Sequence, residues 1–272
     1  MTVRGCYRGS LTVDNGPNRQ GRALGNSSEE SNRHQDMLRI GTSGYHYDHW
    51  KGVYYPEDLA KRQWFSHYAR DFDTVEINNT FYRLPAAATF EAWRRQAPKG
   101  FCYALKFSRY GSHIARLKKP HDTIRKFLQR ADRLEEFLGP ILVQLPPNWR
   151  PNPDRLAAFL KAAPKDHRWA VEFRDPRWLG GDVFALLKEH DAALCIHDMI
   201  DDHPRLVTAR WVYLRFHGDR YHGCYSRQFL TTRAAEIKGY LTEGLDVFAY
   251  FNNDAEGYAV QNAMDLKRYV AT

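Results

Sequence analysis

Thr74-Val-Glu-Ile-Asn-Asn-Thr-Phe-Tyr82 is the stretch whose reading decides the fold. In an extended chain Val75 and Ile77 fall on one side and Glu76 and Asn78 on the other. A solvent-facing strand shows the same alternation, but this one recurs. Trp169, Val171 and Phe173 alternate with Ala170, Glu172 and Arg174. Val212, Leu214 and Phe216 alternate with Tyr213, Arg215 and His217. Val247, Ala249 and Phe251 alternate with Phe248, Tyr250 and Asn252. Helical stretches separate these segments, so the pattern points to a closed barrel whose interior is polar at one end.

Working outward, strands are predicted near Leu38–Thr42, Thr74–Asn78, Phe101–Phe107, Ile141–Leu145, Trp169–Phe173, Ala193–His197, Trp211–Phe216 and Asp246–Phe251. Helical stripes lie between them: Phe65, Tyr68 and Phe72; Phe90, Trp93 and Ala97; Leu156, Phe159 and Leu160; Val183, Leu186 and Leu187; and a helix near Arg227–Leu241. The clearest stripe runs Ile124, Phe127, Leu128, Ala131, Leu134, Leu138, with Gly139-Pro140 expected to end it. Asp198 to Arg210 is too short and polar for a full helix. Eight strands and about seven helices, in roughly 236 residues, match a single-domain α/β protein, a (β/α)₈ TIM-type barrel. A doubly wound sheet is the alternative, but no Gly-x-Gly-x-x-Gly turn follows the first strand. Residues 1–36 are rich in Gly, Asn, Ser and Arg and lack apolar periodicity, so a disordered tail is expected before a domain at 37–272. Met37 stands directly before the first strand and is a candidate native start.

The chain carries a net charge of +8, a balance that suits an anionic partner such as nucleic acid or a phosphate ester. No apolar run approaches the roughly 20 residues of a membrane helix. Its four cysteines are far apart and form no C-x-x-C pair, which fits a reducing cytoplasm.

In a barrel of this kind the chemistry gathers at the carboxyl ends of the strands. The face assignment sends Glu76, Asn78, Lys106, Gln144, Glu172, Arg174, Arg215, His217 and Asn252 inward or to that rim. Unpaired burial of such charges costs several kcal/mol each, so they pair with one another or with a ligand. Glu76, Glu172 and His217 are the candidate catalytic groups: two carboxylates, and an imidazole that titrates near neutrality. Tyr45, Asn78, Tyr82, Lys106, His113, Gln144, Arg174, Arg215, Asn252 and Asn253 are the candidate binding residues. His197-Asp198 with Asp201-Asp202-His203 has the composition of a divalent-metal cluster, although no specific motif supports it. The backbone N–H groups of Gly41-Thr-Ser-Gly44 and of Asn252 to Gly257 are candidate anion contacts.

Several motifs resemble one known family. They are Ile-Gly-Thr-Ser-Gly-Tyr45 with Trp50-x-Gly and Tyr-Pro56; Val-Glu-Ile-Asn-x-Thr-Phe-Tyr82; Lys106 then Ser-His113; Val-Gln-Leu-Pro-Pro147; Glu172-Phe-Arg174; Tyr-x-Arg-x-His-Gly218; and Phe-Asn-Asn253. Together they resemble the YecE-like family, a domain of unknown function, from about Leu38 to the end. The resemblance implies a (β/α)₈ barrel and supplies no activity. Ser112 stands where the family usually has Thr before the histidine, a change that keeps the hydroxyl. His46, His49, Asp201 and His203 fall outside the family pattern. The leading expectation is a cytoplasmic hydrolase of a phosphate-bearing substrate, which includes nucleic acid. The alternatives are a sugar isomerase or glycosidase, and a nucleic-acid or nucleotide binder without turnover.

Overall fold

The computed structural model describes residues 37–218, 221 and 223–272; the expected tail at 1–36 lies outside them. The strands are β1 (Leu38–Thr42), β2 (Thr74–Ile77), β3 (Cys102–Lys106), β4 (Leu138–Gln144), β5 (Trp169–Glu172), β6 (Ala193–His197), β7 (Trp211–Phe216) and β8 (Asp246–Phe251). They form one eight-stranded sheet in the order β1-β8-β7-β6-β5-β4-β3-β2, and each neighbouring pair is parallel. The helices between them are α1 (Trp64–Asp71), α2 (Asn79–Tyr82), α3 (Ala87–Gln96), α4 (Pro120–Ala131), α5 (Pro153–Ala162), α6 (Gly181–Glu189), α7 (Arg227–Thr242) and α8 (Tyr258–Ala271). No helix joins β6 to β7, as the polar stretch from Asp198 implied.

The sheet closes on itself at the β1–β2 seam through one bridge, Ser43 to Glu76, and the Gly44 N–H to Glu76 carbonyl bond of 2.8 Å. Tyr68 of α1 fills the rest of the seam. Its hydroxyl accepts from the Thr42 N–H at 3.0 Å and donates to the Thr74 carbonyl at 3.0 Å. The strands lie so close there that a Cβ on Gly41 meets the Thr74 carbonyl oxygen at 2.4 Å. Gly41→Ala is therefore expected to lose about 1–3 kcal/mol of stability by forcing the seam apart. Urea denaturation measures this, and a wild-type midpoint for the variant refutes a tight seam.

The two faces separate as the alternation implied. Val75, Ile77, Tyr103, Leu105, Val171, Phe173, Leu214, Phe216, Val247 and Phe251 join the outer core beneath the helices. Ala104, Leu142, Ala170, Cys195, Trp211, Tyr213, Phe248 and Tyr250 fill the barrel interior. Small residues from β3, β5 and β6 leave room for the rings of β7 and β8, so the lower interior is a packed plug.

One expected boundary is wrong. The long stripe does not stay helical to Leu138. Helix α4 stops at Ala131, a 3₁₀ segment follows (Asp132–Phe137), and Glu135 sits at φ 51° within it. Gly139 and Pro140 lie inside β4. A Cβ on Gly139 would fall 2.3 Å from the Cys102 sulfur, and the β3–β4 register shifts at the same level. Close strand approach therefore selects this glycine, with no helix stop involved.

Candidate active site at the barrel mouth

Above the aromatic plug the interior turns ionic. Arg215, fully buried on β7, is the hub. Its Nη1 donates to Glu172 Oε2 at 2.5 Å and its Nη2 to Glu76 Oε1 at 2.8 Å. Glu76 also accepts from Ser43 Oγ at Oε1 and from the Tyr213 hydroxyl at Oε2, the latter at 2.6 Å. Glu172 Oε1 accepts from Arg174 Nε. Burial alone would raise both carboxyl pKa values. The guanidinium contacts outweigh it: both are held below the usual range, Glu172 well below. The two glutamates expected as catalytic carboxylates are thus brought together by the structure, ionised, with their oxygens engaged.

His217 sits above the hub with no exposed surface. Arg174 Nη2 and Arg215 Nη1 lie 3.1 and 3.2 Å from its Nε2. Guanidinium groups only donate, so Nε2 accepts, and the Nδ1 hydrogen is left for Asp198 Oδ1 at 3.1 Å. Burial is the first cause that lowers its pKa; the neighbouring arginines add to this and Asp198 opposes it. His217 is a neutral imidazole that orders two guanidinium groups. Asp198 is positioned in turn by the Tyr225 hydroxyl, which also accepts from the Gly218 N–H at 2.5 Å.

Lys106 differs from the rest of the cluster. It ends β3 and is 8% exposed, and its ammonium makes no hydrogen bond or ion pair among the described residues. The Phe81 ring lies 4.4 Å from Nζ. Burial first, and then the Arg215 charge, lower its pKa to about 8. Helix α2 holds Phe81 in place, because Thr80 Oγ1 donates to the Lys106 carbonyl at 2.7 Å. The same ring meets His113 in a T-shaped contact at 4.9 Å. The Ser112 hydroxyl gives its hydrogen to the Ser108 carbonyl at 3.0 Å, so it accepts from His113 Nδ1, also at 3.0 Å. That leaves the His113 Nε2 lone pair unclaimed among the described residues. Burial, Lys106 and Arg109 lower the His113 pKa to about 4.

Gln144 and Asn252 stand half-buried at the ends of β4 and β8, with no side-chain hydrogen bond among the described residues. Asn78 donates to Ser43 Oγ at 2.8 Å and leaves its buried Oδ1 without a partner. Tyr82 is 75% exposed beside Phe81. The mouth therefore has an ionic floor whose carboxylates are engaged, although the buried Arg215 Nε has no hydrogen-bond partner among the described residues, and a rim of polar groups that are still available.

Other sequence expectations fall elsewhere. Tyr45 packs its ring on Phe65 and Tyr68, at 5.4 and 5.7 Å. Asn253 is fully buried and donates to the Gly223 carbonyl and to Asn262 Oδ1, so it braces a loop. The N–H groups of Ser43, Gly44 and Asn252 bond to the carbonyls of Phe251, Glu76 and Phe216 and are closed to an anion. Both ring nitrogens of His197 are taken, by the Phe173 carbonyl and the Met199 N–H, while Asp201 and Asp202 are exposed. Among the described residues no group of three His, Cys, Asp or Glu is placed to hold a metal ion.

The sequence reading missed the Ser43 hydroxyl, Asp198 as a partner of His217, and Tyr221. Tyr47 donates to the Ser43 carbonyl at 2.6 Å, and burial together with Asp254 and Glu76 raises its pKa. Tyr221 accepts from Arg174 Nη1 at 3.3 Å. Ser43 and Asp198 lie just past the ends of β1 and β6, and Tyr221 lies in a loop, so no periodicity marks them.

No helix among the described residues is long and apolar enough to cross a membrane. Curated relatives match part or most of the chain. The Escherichia coli protein YecE (UPF0759) is 35% identical over 112 residues, 41% of each chain, so the chain matches well under half the length of that relative. YunF (UPF0759) of Bacillus subtilis is 24% identical over 270 residues, 85% of this chain and 93% of its own. Among solved structures, a DUF72 family protein of Thermotoga maritima superposes with a TM-score of 0.79 at 26% identity, covering 87% of this chain and all of its own. A DUF72 family protein of Enterococcus faecalis, at 20% identity and TM-score 0.74, covers 87% of this chain and 96% of its own and shares the fold. The DUF72 family model, described as a protein of unknown function, matches residues 39–272, so the chain, with its eight-stranded barrel and buried Glu–Arg–Glu hub, belongs to the DUF72 family.

Proposed function

We propose that the protein is a hydrolase of a phosphate-bearing substrate bound at the barrel mouth. The observation that carries this reading is Lys106: a nearly buried ammonium with no anionic partner in contact, at the carboxyl end of a barrel strand. A folded protein gains nothing from such a charge unless a ligand completes it. Arg174 is the second anion contact, since three of its five N–H donors are engaged and two remain. Gln144 and Asn252 orient the ester.

The roles expected for the two glutamates and His217 move elsewhere under this reading. Glu76 and Glu172 hold the arginines, and His217 aligns them. His113 takes over the base, with Nε2 accepting a proton from the attacking water as the new P–O bond forms. Lys106 returns a proton to the leaving oxygen as the old P–O bond breaks. The cations that depress the His113 pKa are the ones a bound phosphate neutralises, so substrate itself raises the base strength. The two-glutamate glycosidase has less support, because such a pair needs one carboxyl held protonated.

The test is a panel of phosphomonoesters and phosphodiesters, with and without divalent cations. His113→Asn is expected to lower kcat about 10²- to 10⁴-fold and leave KM within a few-fold. No turnover anywhere on the panel refutes the hydrolase.

A further inference from the structure

We propose that the loop between β3 and α4, together with Tyr82 of α2, is a track that guides single-stranded nucleic acid to Lys106. This rests on the phosphate-site reading above and names its substrate class. After Lys106 the chain carries Arg109, Arg116, Lys118 and Lys119 and no carboxylate before Asp122. All four side chains are exposed, and none forms an ion pair among the described residues. Some surface cations elsewhere are paired, Lys61 with Asp48, Arg125 with Asp122, Arg210 with Asp191 and Arg268 with Asp265, whereas this loop gathers four unpaired cations in eleven residues.

The same loop displays large apolar side chains. Tyr110 is 60% exposed and Ile114 66%, and Tyr82, whose ring meets Phe81 at 5.1 Å, is 75% exposed. The backbone enforces that display. Tyr110–Ile114 is a π-helical turn, a form found mostly at functional sites. Three non-glycine residues follow at positive φ: Arg116 (48°), Leu117 (60°) and Lys119 (50°). Such conformations cost of order 1–3 kcal/mol each and persist where the surroundings hold them. Leu117, 1% exposed, is the anchor, and its N–H bonds to the Gly111 carbonyl at 2.9 Å. The strain turns Tyr110, Ile114 and the cations outward.

Cations for phosphates and aromatic faces for bases are the two requirements of single-strand binding. A base-paired duplex hides the faces these rings would stack on. The track leads to the mouth, because His113 in this loop and Lys106 both contact Phe81.

The experiment is fluorescence anisotropy of the full chain with a 12-nucleotide single strand, DNA and RNA, against the matching duplex and phosphatidylserine vesicles. Residues 1–36 stay in every protein, so differences report the loop. With four phosphate contacts, the single-strand affinity should fall about 50-fold between 50 and 200 mM salt. In the variant Arg109→Gln/Arg116→Asn/Lys118→Gln/Lys119→Asn that dependence should nearly vanish; asparagine suits the two left-handed positions. Tyr110→Ala and Tyr82→Ala should each weaken binding roughly 5- to 150-fold. Unchanged binding in the quadruple and tyrosine variants, or preference for duplex or vesicles, overturns the track. If Arg116→Asn/Lys118→Gln/Lys119→Asn, which leaves Arg109 beside His113, still turns over small phosphate esters at the wild-type rate while single-strand binding is unchanged, the mouth reading stands without the track. Loop-dependent oligonucleotide binding without any turnover leaves the track and removes the hydrolase.

Discussion

Replacing Arg215 by methionine is expected to destabilise the protein by about 3–5 kcal/mol at pH 7, the largest stability loss we anticipate from one substitution. Arg215 lies between two fully buried carboxylates and bonds to both. Methionine matches much of the stem volume, so the loss is electrostatic. Glu172 keeps Arg174, but Glu76 keeps only the hydroxyls of Ser43 and Tyr213 and the more distant Lys106 charge. Glu76 is therefore the group that takes up a proton in the variant. In the wild type both glutamates have lowered pKa values, so their contribution is present above the unfolded carboxyl range and is lost as pH falls through the folded values. In Arg215→Met the Glu76 pKa moves above its unfolded value, and the sign reverses: stability falls as pH rises through the carboxyl range. Arg215→Met/Glu76→Gln should recover most of the loss. Chemical denaturation at pH 5 and pH 8 decides it; a single variant no weaker at pH 8 than at pH 5, or no recovery in the double, removes the hub.

The barrel was legible because its signal is periodic. Strands with period two must place Val212, Leu214 and Phe216 under helices and Tyr213, Arg215 and His217 inside, and the packing agrees. The convergence of Glu76, Glu172, Arg174 and Arg215 followed from the same alternation. Their roles did not, because a role depends on which oxygen faces which nitrogen. Glu76 reads as a free carboxylate until Ser43, Tyr213 and Arg215 are seen to engage it. Likewise His217 reads as an acid–base group until two guanidinium donors are found on Nε2. Tyr45 is a different case: it lies in the aromatic loop after Gly44, outside any alternation, and only the structure shows its ring against Phe65 and Tyr68. The β3–α4 loop carries no periodicity at all, and its π-turn and left-handed residues come from tertiary packing around Leu117.

Lys106→Met separates function from stability, and the two are expected to move in opposite directions. Moving the Lys106 pKa from 10.5 to about 8 corresponds to about 3 kcal/mol of unfavourable burial when the amine is charged. Below pH 8 the amine is protonated in both folded and unfolded chains, and this penalty is fully present. Between about pH 8 and 10.5 the folded chain releases its proton first, so wild-type stability rises with pH across that window. Methionine keeps the stem against Phe81 without the charge. The variant should therefore be more stable at pH 7, with Tm higher by about 5–10 °C, and should lack the alkaline rise. Its kcat/KM on any phosphate ester the wild type hydrolyses should fall about 10³-fold, because the anion loses a charge-assisted hydrogen bond in a site shielded from water. Inorganic phosphate should bind the wild type more weakly as pH rises past about 8, and Lys106→Met should show no such step. Calorimetric titration with phosphate at pH 7 and pH 9, run beside thermal melts, reads both effects. A variant that is less stable and binds phosphate normally would make Lys106 a structural cation and leave the mouth without its anion contact.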